Sequence, residues 1–260
     1  MGGLISLLPF CGDFGLNAFM SATIAKSPRL YNTQTLASNL DITLEGAQAH
    51  YLRNVMRMNE GDNLRIFNEK DGEFQADITG ISKKSVTLHI GLQRRAPAAP
   101  VRRIHLFFAP LKKNRMDFVI EKSVELGVTD LHPLITAHTE VRKINEERLQ
   151  AQIIEAAEQC ERLNIPALHG LAQLDRLLGK PPKGTAIFAA LERHDGLFID
   201  KALAQHSGDI GFIIGPVGGF NESETAQMLA CAALTPISLG RDILRAETAA
   251  IFCLAKAKNT

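Results

Sequence analysis

The chain of 260 residues has no tryptophan and only 2 tyrosines, so stacking against a planar ligand would fall to phenylalanine, histidine or arginine. Cysteine is also sparse. Cys11, Cys160, Cys231 and Cys253 stand far apart with no C-x-x-C pair. This spacing suggests no disulfide framework and fits a reducing cytoplasm, and three of the four sit in apolar surroundings as expected small core residues. The 8 histidines show no H-E-x-x-H or related ligand spacing, so no structural or catalytic metal is expected. Neither G-x-G-x-x-G nor G-x-x-x-x-G-K-[ST] occurs, which removes the dinucleotide fingerprint and the phosphate-cradling loop and weakens a nicotinamide oxidoreductase reading. No run is long and apolar enough to span a bilayer. The apolar start has no Lys or Arg before Lys26, so it lacks the positive region of a signal peptide. Gly2 to Ser6 fits the short acylation pattern, which many unrelated chains also fit. Residues 1–27 are expected to be a disordered or artefactual extension, with Met20 as a candidate true start.

What is present is the composition of a soluble globular protein, 45% hydrophobic and 22% charged, long enough for one large domain or two ordinary ones. The net charge of +1 is unevenly spread. From Ile78 to Met116 there is no Asp or Glu, yet nine Lys and Arg fall there, including Arg94, Arg95, Arg102, Arg103, Lys112, Lys113 and Arg115. Such a stretch fits a polyanion surface, and it equally fits a solvated face balanced by acids brought close in space.

The pattern changes midway. Leu64–Phe67, Phe74–Ile78 and Val86–Ile90 read as half-buried strands, with a turn at Asp71-Gly72, and suit a small β-barrel. Arg94 to Pro100, R-R-A-P-A-A-P, reads as a linker. Beyond it, strands at Ile104–Ala109, Ala186–Leu191 and Ile210–Ile214 alternate with helices. Met116, Val119, Ile120, Val124 and Leu126 recur at helical spacing before the stop at Gly127. Asn145 can cap a helix carrying Leu149, Ile153, Ala157 and Cys160, and a last helix from Glu247 carries Ile251, Phe252, Leu254 and Ala255. This alternation implies a parallel sheet with helices on both faces.

Two strands run into glycine-bearing turns. Ile210–Ile214 is followed by Gly215-Pro216-Val217-Gly218-Gly219, and Ile237 by Ser238-Leu239-Gly240 and then Arg245, Glu247 and Thr248. Glycines allow backbone amides and carbonyls close to a ligand, favouring a neutral or zwitterionic nucleoside over a pyrophosphate. Each turn alone could simply join a strand to a helix, and Glu247 suits a helix start on dipole grounds. Together they suggest one site built from two loops.

The pieces H-Y-L-R-N-V-M-R-M-N-E-G-D, K-K-N-R-M-D-F-V-I-E-K-S-V-E-L-G-V, E-A-A-E-Q-C-E-R-L-N-I-P, G-P-V-G-G-F and S-L-G-R-D-I-L-R-A-E-T-A occur in this order. The set resembles the RsmE family of ribosomal RNA methyltransferases, in the SPOUT superfamily, from about Pro28 to the C-terminus. The resemblance implies an α/β fold with an N-terminal PUA-like RNA-binding β-barrel (28–95) and a C-terminal trefoil-knotted SPOUT methyltransferase domain (101–260). It implies a cytoplasmic homodimer that uses S-adenosylmethionine to methylate N3 of one uridine in 16S rRNA, within or destined for the small ribosomal subunit. Carried over by position, the cofactor residues are Leu191, Gly215, Pro216, Gly218, Gly219, Ser238, Leu239, Gly240 and Leu244. The family usually has Glu at the place of Val217 and Arg at that of Asp242, while Arg241 stands one place earlier. A fold that kept its shape but serves as a non-catalytic RNA-binding assembly factor is the alternative that these departures suggest.

Uracil N3 carries a proton, so the reaction needs an exposed base and a site for negative charge. Arg245 is the candidate to steady that charge with its two-pronged donor. Glu247 is the candidate proton acceptor or the group that orients Arg245. A helix-start ion pair is the plainer reading of both. Candidate RNA contacts are Arg53 and Arg57, read as sharing a helical face, with Arg102, Arg103, Lys112 and Arg115. Solvated surface charge explains these equally well.

Overall fold

The computed structural model describes residues 27–191, 194 and 196–258. Apart from Ser27, the expected extension lies outside the described residues, as does Cys11. The chain divides into two compact units at Pro97/Ala98, within the stretch read as a linker.

The first unit is built on alternation. Its strands are β1 (Arg29–Tyr31), β2 (Asp41–Glu45), β3 (Asn63–Asn68), β4 (Gly72–Ile81) and β5 (Ser85–Arg95), in the order β1-β3-β4-β5-β2. Only β1 and β3 pair in parallel. Leu64 and Ile66, Ala76 and Ile78, and Val86, Leu88 and Ile90 all face one core, as a period of two requires. A short helix, α1 (Gly46–His50), runs into a π-turn at Tyr51–Val55 and adds Ala49 and Leu52 to that core. The expected closed barrel is open at one seam, since among the described residues no β1–β2 ladder forms. The reason is local: β1 has only 3 residues, and the Gln48 side chain of α1 bonds there instead, donating to Tyr31 O at 2.6 Å and accepting from Asn32 Nδ2 at 2.8 Å.

The second unit has β6 (Ile104–Phe108), α2 (Lys113–Glu125), β7 (Asp130–Ile135), α3 (Glu146–Gln159), β8 (Ala167–Leu168), β9 (Ala172–Gln173), α4 (Leu174–Gly179), β10 (Ala186–Ala190), β11 (Leu197–Phe198), α5 (Ile199–Leu203), β12 (Ile210–Ile214), α6 (Glu222–Ala230), β13 (Leu234–Ser238) and α7 (Ala246–Lys258). The sheet order is β11-β13-β10-β12-β6-β7-β8, with β9 also on β7, and every pair is parallel.

Both faces of this sheet are covered, and the sequence shows why. Along β12, Ile210, Phe212 and Ile214 enter one core with α2, α3 and α7, while Ile213 enters a second core with Leu174, Leu177 and Met228. A strand buried on both sides reads as a continuous apolar run. The Asn145 side chain caps α3 by accepting from Arg148 N. The buried stripe of α7 is Ala249, Ala250, Cys253, Leu254 and Ala257, mostly small side chains that let the helix approach closely. Cys253 is buried, which pushes its thiol up out of the physiological range, whereas Cys160 and Cys231 are only half-buried.

Candidate functional site

The strands β13, β10 and β12 lie side by side, and the C-terminal ends of all three open into one cleft of about 930 Å³. Crevices beyond the carboxyl ends of parallel strands are the general ligand position in open α/β sheets. Leu191 follows β10, Gly215, Pro216, Gly218 and Gly219 follow β12, and Ser238, Leu239, Gly240 and Leu244 follow β13. All nine of these residues line the cleft, as does Arg245. Two turns that follow one another closely in the sequence thus become walls of one space, with the end of β10 between their strands.

The turns use backbone shapes that favour glycine. Gly219 has φ 70° and Gly240 has φ 130°, regions that L side chains rarely occupy. The first turn closes with Gly219 N donating to Pro216 O at 2.9 Å. It then enters α6 through a capping box, in which Asn221 Oδ1 accepts from Glu224 N at 2.7 Å and Glu224 Oε2 accepts from Asn221 N at 3.0 Å. The second turn enters α7, whose first helical bond runs from Ala249 N to Arg245 O at 2.8 Å.

Glu247 is placed differently from Arg245. It is not among the residues that line the cleft. Its Oε1 lies 3.7 Å from Arg115 Nε on α2, and its Oε2 is buried with no hydrogen-bond partner.

The arginines and lysines singled out for RNA separate into two groups. Arg102 donates to Ala257 O at the end of α7, and Arg103 grips the Asp130 carboxylate with two nitrogens. Both therefore have internal work. Lys112 is exposed, 2.9 Å from an equally exposed Glu140, and Arg115 is half-exposed. Arg53 is half-buried and donates to Lys83 O. Arg57 does not share a helical face with it. The helix ends in a π-turn closed by Met56 N on Tyr51 O at 2.9 Å, and Arg57 follows at φ 55°. This is the left-handed conformation that commonly terminates helices.

A second cluster leaves no spacing pattern in the sequence because its members come from three segments. His105 on β6, Asp130 and His132 on β7 and His169 after β8 meet at the other end of the sheet. His105 Nδ1 lies 3.0 Å from His132 Nε2, and His169 Nε2 lies 2.9 Å from Asp130 Oδ1. The rings of His132 and His169 stack at 3.9 Å. The ligand-type atoms of His105, Asp130 and His132 lie close enough together to hold a metal ion. The Asp130 oxygens are already engaged, however, by Arg103, His169 and Thr129, and Arg103 supplies the countercharge. Burial, then the neighbouring His169 and His105, pulls His132 down to about 3. Burial alone would raise Asp130, but hydrogen bonds from His169, Arg103 and Thr129 win and hold it at about 2. The tertiary signal here is the strand register, which pairs His105 with Asp130.

The RNA methyltransferase domain family matches residues 97–258, and the RNA methyltransferase PUA domain family matches residues 44–91. A Rickettsia conorii protein named ribosomal RNA small subunit methyltransferase E is 33% identical over 234 residues, covering 90% of this chain and 96% of that protein. A Legionella pneumophila protein solved in complex with S-adenosylmethionine is 31% identical with a TM-score of 0.81, covering 90% of this chain and 98% of that one. The ribosomal RNA small subunit methyltransferase E of Neisseria gonorrhoeae, bound to S-adenosyl methionine, is 28% identical with a TM-score of 0.80, covering 90% and 97%.

Proposed function

We propose, from the premise that this chain belongs to the RNA methyltransferase family of ribosomal RNA small subunit methyltransferase E, that it transfers a methyl group from S-adenosylmethionine to N3 of a uridine in 16S rRNA. The observation that carries this reading is the cleft shared by the turns after β12 and β13, in a chain similar to two proteins crystallised with that donor. The site fits the group. Its volume is in the range of small-molecule pockets. Leu191, Leu239 and Leu244 offer apolar walls for a nucleoside base, and the glycine turns offer backbone polar groups at close range.

When bound, the donor supplies an electrophilic methyl on a sulfonium. The chain's own part is to align the base and carry its charge. Arg245 lines the cleft, and its guanidinium would hold the uracil oxygens as N3 gives its proton to water and takes the methyl in its place. Glu247 faces Arg115 rather than the cleft, so we assign it the positioning of Arg115. Lys112, Arg115, Arg53 and Arg57 remain the contacts for the RNA backbone. Arg102 and Arg103 serve the fold first.

The finer architecture follows the same reading. β13 lies beyond β10, yet α7, which it feeds, packs against β12, β6 and α2. Residues 239–245 must carry the chain back, and we take this return as the thread of a trefoil knot. Exposed Phe118, Val217 and Ile243 support a homodimer, and an rRNA substrate supports a cytoplasmic site of action. No described helix is long and apolar enough to cross a membrane.

The test is methyl transfer to small ribosomal subunits with mass mapping of the 16S rRNA. Arg245→Ala should lower turnover about 100-fold, the scale of one lost charge-stabilising donor, while calorimetry finds donor binding retained. Full activity in that variant would remove Arg245 from the mechanism, and no donor binding by the wild type would remove the reading as a whole.

A further inference from the structure

We propose that His138, on the turn after β7, is a positioning residue for the methyl donor: it holds the Gly215–Gly219 turn in its binding shape through two backbone carbonyls. This rests on the reading of the cleft as a donor site. His138 Nδ1 lies 3.2 Å from Gly218 O and 3.1 Å from Gly219 O. Both partners are acceptors, so Nδ1 carries the proton and donates.

The base from which His138 acts is rigid. Thr136 N donates to Thr139 Oγ1 at 2.8 Å, the two threonine hydroxyls are 2.9 Å apart, and both residues are buried. Between them, Ala137 N donates to Glu224 Oε1 at 2.7 Å. The other oxygen of Glu224 belongs to the capping box of α6. The segment 218–224 is therefore tied to the β7 turn at both of its ends, at the glycine carbonyls and at Glu224 in the first turn of α6. In the sheet β6 separates β7 from β12, so these bonds reach across the end of an intervening strand.

The turn needs such help. Gly215, Gly218 and Gly219 carry no side chains to anchor, and a glycine turn loses more conformational freedom on ordering than other backbone. A turn already ordered in the free protein spares that loss when ligand binds. Planarity of the peptide unit adds direction. With the carbonyls of Gly218 and Gly219 held on His138, the amide N–H groups of Gly219 and Phe220 are turned to the opposite side.

The experiment compares wild type, His138→Ala and His138→Asn, since the asparagine amide can place a donor near the position of Nδ1. His138→Ala should raise both the Kd and the KM for S-adenosylmethionine about 5- to 10-fold, the scale of one hydrogen bond. Its kcat at saturating donor should stay near wild type, and His138→Asn should recover most of the affinity. In donor-free protein, the Gly219 amide should exchange with deuterium faster in His138→Ala than in wild type. An unchanged KM, a fall in kcat at constant KM, or an asparagine variant as impaired as alanine would overturn the proposal. Should the wild type bind no donor, the reading of the cleft falls, and the Gly219 exchange rate still decides the clamp: unchanged exchange in His138→Ala removes it.

Discussion

The two ends of the parallel sheet are built from different materials. At the carboxyl ends of β10, β12 and β13 the walls are glycine turns, backbone and aliphatic side chains around an open cleft. Near the amino ends of β6 and β7 stand a buried carboxylate, an arginine and three histidines joined by hydrogen bonds and stacking. The first end leaves room and lines it with backbone groups. The second ties its charged and aromatic groups to one another around one buried carboxylate. A site for a changing ligand does not need buried fixed charge, whereas a sheet edge that buries charge must pair it. The contrast teaches that in this domain an open cleft and a buried charge are placed at opposite ends of the same sheet.

Acid should separate the two ends most sharply. The unfolded chain takes up a proton at His132 near its ordinary 6.5, but the folded chain resists until about 3. Stability is then complete above about pH 6.5 and falls as pH drops toward 3. Asp130 adds to the loss below its ordinary 3.8, down to about 2. Urea midpoints measured at pH 7, 5.5 and 4 should decline, and His132→Phe should flatten the upper part of the decline. A slope as steep in that variant would show that the histidine stack is not its source.

Asp130→Ala comes next. Breaking a buried charge pair costs about 3–5 kcal/mol, and the half-exposed Arg103 discounts this to about 2–3 kcal/mol. Thermal melting should show a Tm lower by roughly 5–10 °C. Donor affinity, read by calorimetry well below Tm, should move by less than about twofold because the sites are distant. A large loss of affinity would mean the two ends are coupled.

Gly240→Ala should do the reverse. Nothing lies within 4 Å of the added methyl, so only the backbone at φ 130° objects. Strain of about 1–2 kcal/mol should weaken donor binding roughly tenfold, while Tm changes little because the exposed loop can relax. A fall in Tm with affinity intact would invert the comparison.

Much of this was legible in the chain. The apolar run Ile210–Ile214, the helix face Met116, Val119, Ile120 and Val124, and the Asn145 cap are local patterns, and local patterns survive folding. The glycine turns were legible for the same reason, since a backbone requirement leaves its mark on neighbouring residues. The barrel seam was not, because alternation places side chains on a face but does not say whether the last strand meets the first. The helical face of Arg53 and Arg57 failed where a π-turn and a left-handed residue ended the helix early. The partners of Arg102 and Arg103 could not be seen, since Ala257 and Asp130 stand 155 and 27 residues away.

The sequence by itself determined the most regular strands and helices, that the second unit is a parallel sheet covered on both faces, and which turns dispense with side chains. These follow from period, apolarity and backbone freedom, which act over a few residues. Only the tertiary structure decided that β10 brings the turns after β12 and β13 to one cleft, that His138 reaches the carbonyls of Gly218 and Gly219, and that His105, His132 and His169 gather around the buried Asp130. Those facts depend on strand order and register, which the chain fixes only when distant segments bury their faces against one another.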